Sequence, residues 1–201
     1  MALWLAKERP TRIMNVIYVP GEFAVVPAGV TDFRVSGSWT IRQDADLVGI
    51  VPHVHQLARW IEVWAFLPDV ARPLLLLRVP QWDYNWQSAY YLRTPRRFPA
   101  GTRFEARCSF DNSASNPHNP FTPPQNVWHN ETIHDEMLLP VLTFTSDSLL
   151  DNKSDSFLSF WSSTRRASFL KRLVEHRYRY VFDPDGTIRL ADGQPSATPD
   201  P

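Results

Sequence analysis

Two histidines one residue apart, His53-Val54-His55, and a distant Asp135-Glu136-Met137 are the residues of this chain best suited to chemistry. In extended chain, side chains repeat every second residue, so both imidazoles would leave the same face. Two neutral imidazoles on one face can share a metal ion. A methionine thioether is a soft third donor, and soft donors favour Cu(I) over Zn(II) or Mg(II). Such a set would cycle the metal between oxidation states. The two segments lie 82 positions apart (137 minus 55), so the site would be a product of tertiary folding. Taken alone the spacing is weak, because strands carry H-x-H pairs by chance and methionine commonly fills cores.

The surrounding blocks add to this. Pro52-His53-Val54-His55-Gln56-Leu57-Ala58-Arg59 is followed by Val79-Pro80-Gln81-Trp82-Asp83-Tyr84-Asn85-Trp86-Gln87 and Pro99-Ala100-Gly101-Thr102. Phe110-Asp111-Asn112-Ser113-Ala114-Ser115-Asn116-Pro117 and Asp135-Glu136-Met137 complete the series. In this order, over residues 20 to 145, they resemble the C-terminal domain of the copper type II, ascorbate-dependent monooxygenases, above all bacterial relatives of the peptidylglycine and dopamine hydroxylases. The resemblance implies that His53, His55 and Met137 hold the copper at which dioxygen is activated. A substrate C–H bond is hydroxylated there, and ascorbate or another one-electron donor restores Cu(I).

It also implies a second copper in a separate N-terminal domain that this sequence does not contain. Leu3-Trp4-Leu5-Ala6-Lys7 is similar to the segment that follows that domain, so residues 1–19 are expected to be a linker from it. Residues 20–150 would form the copper domain, 151–190 a C-terminal extension and 191–201 a disordered tail. The resemblance also implies export, hence a periplasmic or extracellular setting with a leader upstream. The family's amidating members anchor a peptide carboxylate at positions held here by Val51 and Val141, so amidation is not expected. The cysteine partner that the family would offer Cys108 is Leu138 here, and that bridge cannot form.

Composition excludes some classes. Lys plus Arg equals Asp plus Glu at 21 each among 201 residues, so no bulk attraction to nucleic acid or membrane is expected. One cysteine excludes an intrachain disulfide. No apolar run approaches the ~18 residues needed to span a bilayer.

Periodicity predicts the scaffold. Phe33–Ile41, Trp60–Phe66 and Thr102–Phe110 alternate apolar and polar residues and are rich in aromatic and β-branched types. Pro20-Gly21, Pro27-Ala28-Gly29, Pro68-Asp69 and Pro99-Ala100-Gly101 punctuate them. The expectation is all-β, a jelly-roll-like antiparallel sandwich with a short helical and hairpin extension. The helix is expected over Ser156–Arg177, with Arg165, Arg166, Lys171 and Arg172 on a solvated face. The hairpin is expected from Tyr178 to Leu190.

Other residues carry weaker expectations. Trp82, Tyr84 and Trp86 alternate and could form one face of a strand, as core cover or as a substrate platform, with Asn85 and Gln87 bonding a loop. Asp111–Pro120 reads as a turn with Asx caps. Asp135 or Glu136 is expected to orient a ligand imidazole through its second nitrogen. On a strand His134 would oppose Met137; His129 is a further possible fourth ligand, while His118 and His176 lack a metal-like context. Asn130-Glu131-Thr132 and Asn152-Lys153-Ser154 match glycosylation acceptors, which matter only in a eukaryotic secretory setting. Two alternatives stay open: a copper-binding domain without catalysis, and an aromatic-rich module for a carbohydrate or small molecule.

Overall fold

The computed structural model describes residues 7, 8, 10–21 and 24–150, and the backbone of two short strands further on. Twelve strands follow in order. They are β1 (Ile13–Tyr18), β2 (Val25–Val26), β3 (Phe33–Thr40), β4 (Ala45–Val51), β5 (Ala58–Phe66) and β6 (Leu74–Val79). Then come β7 (Tyr90–Phe98), β8 (Arg103–Phe110), β9 (Val127–Trp128), β10 (Val141–Ser146), β11 (Tyr180–Phe182) and β12 (Ile188–Leu190). Among the described residues there is no helix, and none long and apolar enough to cross a membrane.

Eight strands build two antiparallel sheets, ordered β1-β10-β4-β7 (sheet I) and β3-β8-β5-β6 (sheet II). The chain passes between the sheets at most steps and the sheets do not close into a barrel, which is the jelly-roll sandwich that the alternation predicts. Alternate residues of each strand point inward: Val35 and Trp39 of β3, Ile61, Val63 and Ala65 of β5, Phe104, Ala106 and Cys108 of β8. Phe144 of β10 packs on Phe104 and Trp39, with ring centroids 5.3 and 5.9 Å away, and Phe98 of β7 meets Phe104 at 5.1 Å. These aromatics lock sheet I onto sheet II.

Turn chemistry sets the joints. Gly101, at φ 86°, closes the β7–β8 connection where an L side chain would be strained. The Asp111–Pro120 turn is capped as expected: Asp111 accepts from the Ser113 N–H, and Asn112 donates to the carbonyls of Val26, Pro27 and Gln125.

The expected strand through Trp82–Trp86 is corrected. That stretch is a turn in which the Asp83 carboxylate accepts from the Asn85 N–H and its carbonyl from the Trp86 N–H. An Asx turn competes with a sheet ladder for the same N–H groups, and here it prevails. Further on, β11 and β12 pair antiparallel, Val181 opposite Arg189, as the hairpin reading requires. The helix expected over Ser156–Arg177 lies outside the described residues, as do the 1–6 part of the linker and the 191–201 tail.

Candidate metal centre

His53 and His55 follow β4, and Met137 precedes β10. These two strands are neighbours in sheet I, with Val51 opposite Val141. Beyond the sheet the same register continues: Val54 forms an antiparallel bridge with Leu138, and the Leu139 N–H donates to the His53 carbonyl at 2.9 Å. The two chains thus run on as a ribbon. In that register His53 stands opposite Leu139 and His55 opposite Met137.

Alternation decides the faces. Val54 and Leu138 are fully buried in the sandwich core, so their neighbours on each arm point the other way. His53, His55, Met137 and Leu139 therefore share the outward face of the ribbon. That face is still sheltered, since His55 is 4% and Met137 5% exposed. The extension of β1 runs beside the Met137 arm, its Val19 and Gly21 N–H groups donating to the carbonyls of Pro140 and Leu138. A Cβ at Gly21 would stand 2.7 Å from that of Leu138, so this approach needs glycine.

Each imidazole is held at its Nδ1. His55 Nδ1 lies 2.8 Å from the main-chain carbonyl of Asp135. A carbonyl only accepts, so Nδ1 carries the proton and Nε2 the lone pair. His53 Nδ1 lies 2.8 Å from Gln87 Oε1. The Gln87 amide nitrogen donates to the Tyr84 carbonyl at 3.0 Å, which turns its oxygen toward His53. His53 is thereby in the same tautomer. The rings sit 5.2 Å apart and nearly perpendicular, and the Tyr84 ring meets His55 edge-on at 6.1 Å. Burial holds the His55 pKa below its ordinary value, against the Asp135 carbonyl that would raise it, and so favours the neutral ring.

Glu136 braces the histidine arm from behind. Its carboxyl, 2% exposed, accepts from the main-chain N–H groups of Leu57 at 2.5 Å and His55 at 3.1 Å. Burial pushes its pKa up to about 8, although those N–H groups pull the other way. Trp82 Nε1 donates to the His55 carbonyl at 3.0 Å and fixes the arm's far side.

The expectation that Asp135 or Glu136 orients an imidazole is met by main chain: the Asp135 carbonyl does it, while its carboxylate takes the Thr132 hydroxyl at 2.7 Å. His134 is exposed beside Phe121 on the turn before Met137, and not on a strand. His129 bridges Glu136 in parallel. Cys108 is buried, and that burial with the charge of Glu136 raises its thiol pKa, which keeps it inert.

Among the described residues no three His, Cys, Asp or Glu side chains converge as a metal-holding group. A thioether beside two imidazoles would make a donor set suited to a soft metal. Met137, opposite His55 in register, is the thioether on that face. In comparisons with known proteins, no family model and no curated protein matches the chain.

Proposed function

We propose that His53, His55 and Met137 hold one copper ion and that this chain is the oxygen-activating part of a copper-dependent monooxygenase. The observation that carries the reading is the pair of imidazoles whose Nδ1–H groups are both engaged by acceptors, so that Nε2 is the lone-pair nitrogen of each, on residues that share a face with Met137. Hydrogen bonds of this kind fix tautomer and ring orientation in metal sites. When bound, copper would supply one-electron redox chemistry for the overall reaction R–H + O2 + 2e⁻ + 2H⁺ → R–OH + H2O, with ascorbate or a similar one-electron donor as reductant.

The residues of the chain do the rest. Gln87 and the Asp135 carbonyl hold the proton of each ring on Nδ1 and so leave Nε2 as the donor nitrogen. Glu136 holds the main chain of the histidine arm, so the spacing of the two rings is set before any ligand arrives. The second electron of each turnover requires a further redox centre, and a separate or upstream copper domain is the partner this reading implies.

The test is anaerobic loading with Cu(I) followed by X-ray absorption at the copper edge. Two imidazole nitrogens and one sulfur are expected, with the sulfur lost in Met137→Ala. Copper that binds without sulfur, or equally tightly in Met137→Ala, would overturn the ligand assignment.

A further inference from the structure

The outward face of sheet I grades from charged to apolar along its length. Residues that are partners across the strands form rows on this face. At the end far from His53, Met14, Thr145 and Asp46 are successive partners, and Asp46 pairs with Arg97 of β7. Arg12 and Arg97 both contact the Asp46 carboxylate. Every charge of that row is matched.

The next row holds Val16, Thr143 and Gly49, with Tyr91 as the β7 partner of Gly49. The Tyr91 ring occupies the space over Gly49, 2.8 Å from where a Cβ would stand, and is itself 72% exposed. The third row is Tyr18, Val141 and Val51. The ribbon continues it with Leu139 opposite His53 and Met137 opposite His55. None of the residues from Val16 to Met137 in these rows carries a formal charge. Tyr84 and the exposed Trp86 stand on the turn that carries Gln87 to His53.

Resting on the reading of His53, His55 and Met137 as the metal-holding group, we infer that the substrate is an uncharged molecule with an apolar or aromatic body. It lies along Tyr18, Val141, Val51 and Leu139 and presents a C–H bond at the imidazoles. Such a body gains by leaving water against this strip. A carboxylate or ammonium would lose hydration along these rows, whose described residues offer it no opposite charge. The matched charges of the Asp46 row cap the far end and limit the length of the strip.

Titration of the ¹⁵N-labelled, metal-free chain tests this with 2-phenylethanol and with phenylacetate, which keeps the ring and adds a carboxylate. The neutral probe should shift the amide signals of Tyr18, Val51, Leu139 and Val141 and bind at least tenfold tighter than the anion. Val51→Arg should invert that preference. The near-isosteric Val141→Thr should weaken 2-phenylethanol several-fold while the rest of the spectrum stays in place. Equal or tighter binding of phenylacetate by the parent chain, binding of neither probe, or shifts confined to other surfaces would overturn the inference. Cu(I) added to the same samples separates the two readings. Selection of the neutral ring without copper binding sinks the metal assignment alone, and copper binding without ring selection sinks the substrate class alone.

Discussion

The outward face of sheet II and the outward face of the ribbon use the same polar chemistry to opposite ends. On sheet II, Glu105 takes Arg103 and Arg107 on its two sides, and Arg103 lies over the Phe66 ring, 4.0 Å from its centroid. Arg107 faces Trp64, Arg78 meets Glu62, and Glu62 accepts from Trp64 Nε1 at 2.8 Å. The partners are register neighbours on β5, β6 and β8, so the lattice is closed. Even the groove of about 480 Å³ at the edge of this sheet is walled by Arg103 and Glu105, already paired with each other. On the ribbon each imidazole is steadied by an acceptor at its Nδ1, Gln87 Oε1 for His53 and the Asp135 carbonyl for His55. Polar groups that saturate one another hold a surface together, whereas groups steadied from one side remain available to a ligand.

Four changes would break or sharpen that contrast. Leu138→Ala should have the largest effect, because it empties a fully buried site under the ribbon. A loss of about 3 kcal/mol is expected in denaturant unfolding, together with weakened Cu(I) binding as the Met137 arm loses its anchor. A stability loss with copper affinity intact would separate the ribbon from the core.

Glu136→Gln comes next, read as stability against pH. Its folded pKa, near 8, lies above the ordinary 4.5, so the folded state binds the extra proton and stability falls as pH rises between those values. The depressed His55 pKa acts oppositely, removing stability as pH drops below 6.5, which leaves the window from 6.5 to 8 to Glu136. There the parent should lose about 2 kcal/mol, and the variant should be flat. An unchanged slope in Glu136→Gln would show that another group titrates.

Gln87→Leu should weaken Cu(I) roughly tenfold to a hundredfold in a chelator competition, with little change in stability because the side chain is exposed. Parent-like affinity would mean that the His53 tautomer needs no support. Smallest of all, Glu105→Ala should cost about 1 kcal/mol or less in thermal unfolding and leave copper untouched. A larger loss would make the sheet II lattice a major source of stability.

The sequence is legible where a local period carries the answer. Alternation located the interiors of β3, β5 and β8 within a residue or two and put His53 and His55 on a common face. It failed at Trp82–Trp86, where the aromatic period imitates a strand while Asp83 and Asn85 carry the turn signal that should have outweighed it. The acceptor of His55 was looked for among carboxylates and is a main-chain carbonyl, which leaves no mark on residue type. The pairing of His55 with Met137 follows from a register set by β4 and β10, strands that are distant in the chain, so no window of sequence contains it.

That register has a consequence for the order in which the molecule is made. The ribbon joins residues 51–55 to residues 137–141, with the extension of β1 alongside, so it draws on both ends of the sandwich at once. Pairings between such distant segments carry a large loop-closure cost and form late in folding. A chain still emerging during synthesis, with β10 not yet made, could offer two imidazoles but no facing thioether. Capture of a soft metal through the three proposed donors would therefore be an event of the finished fold, and it would report that folding is complete.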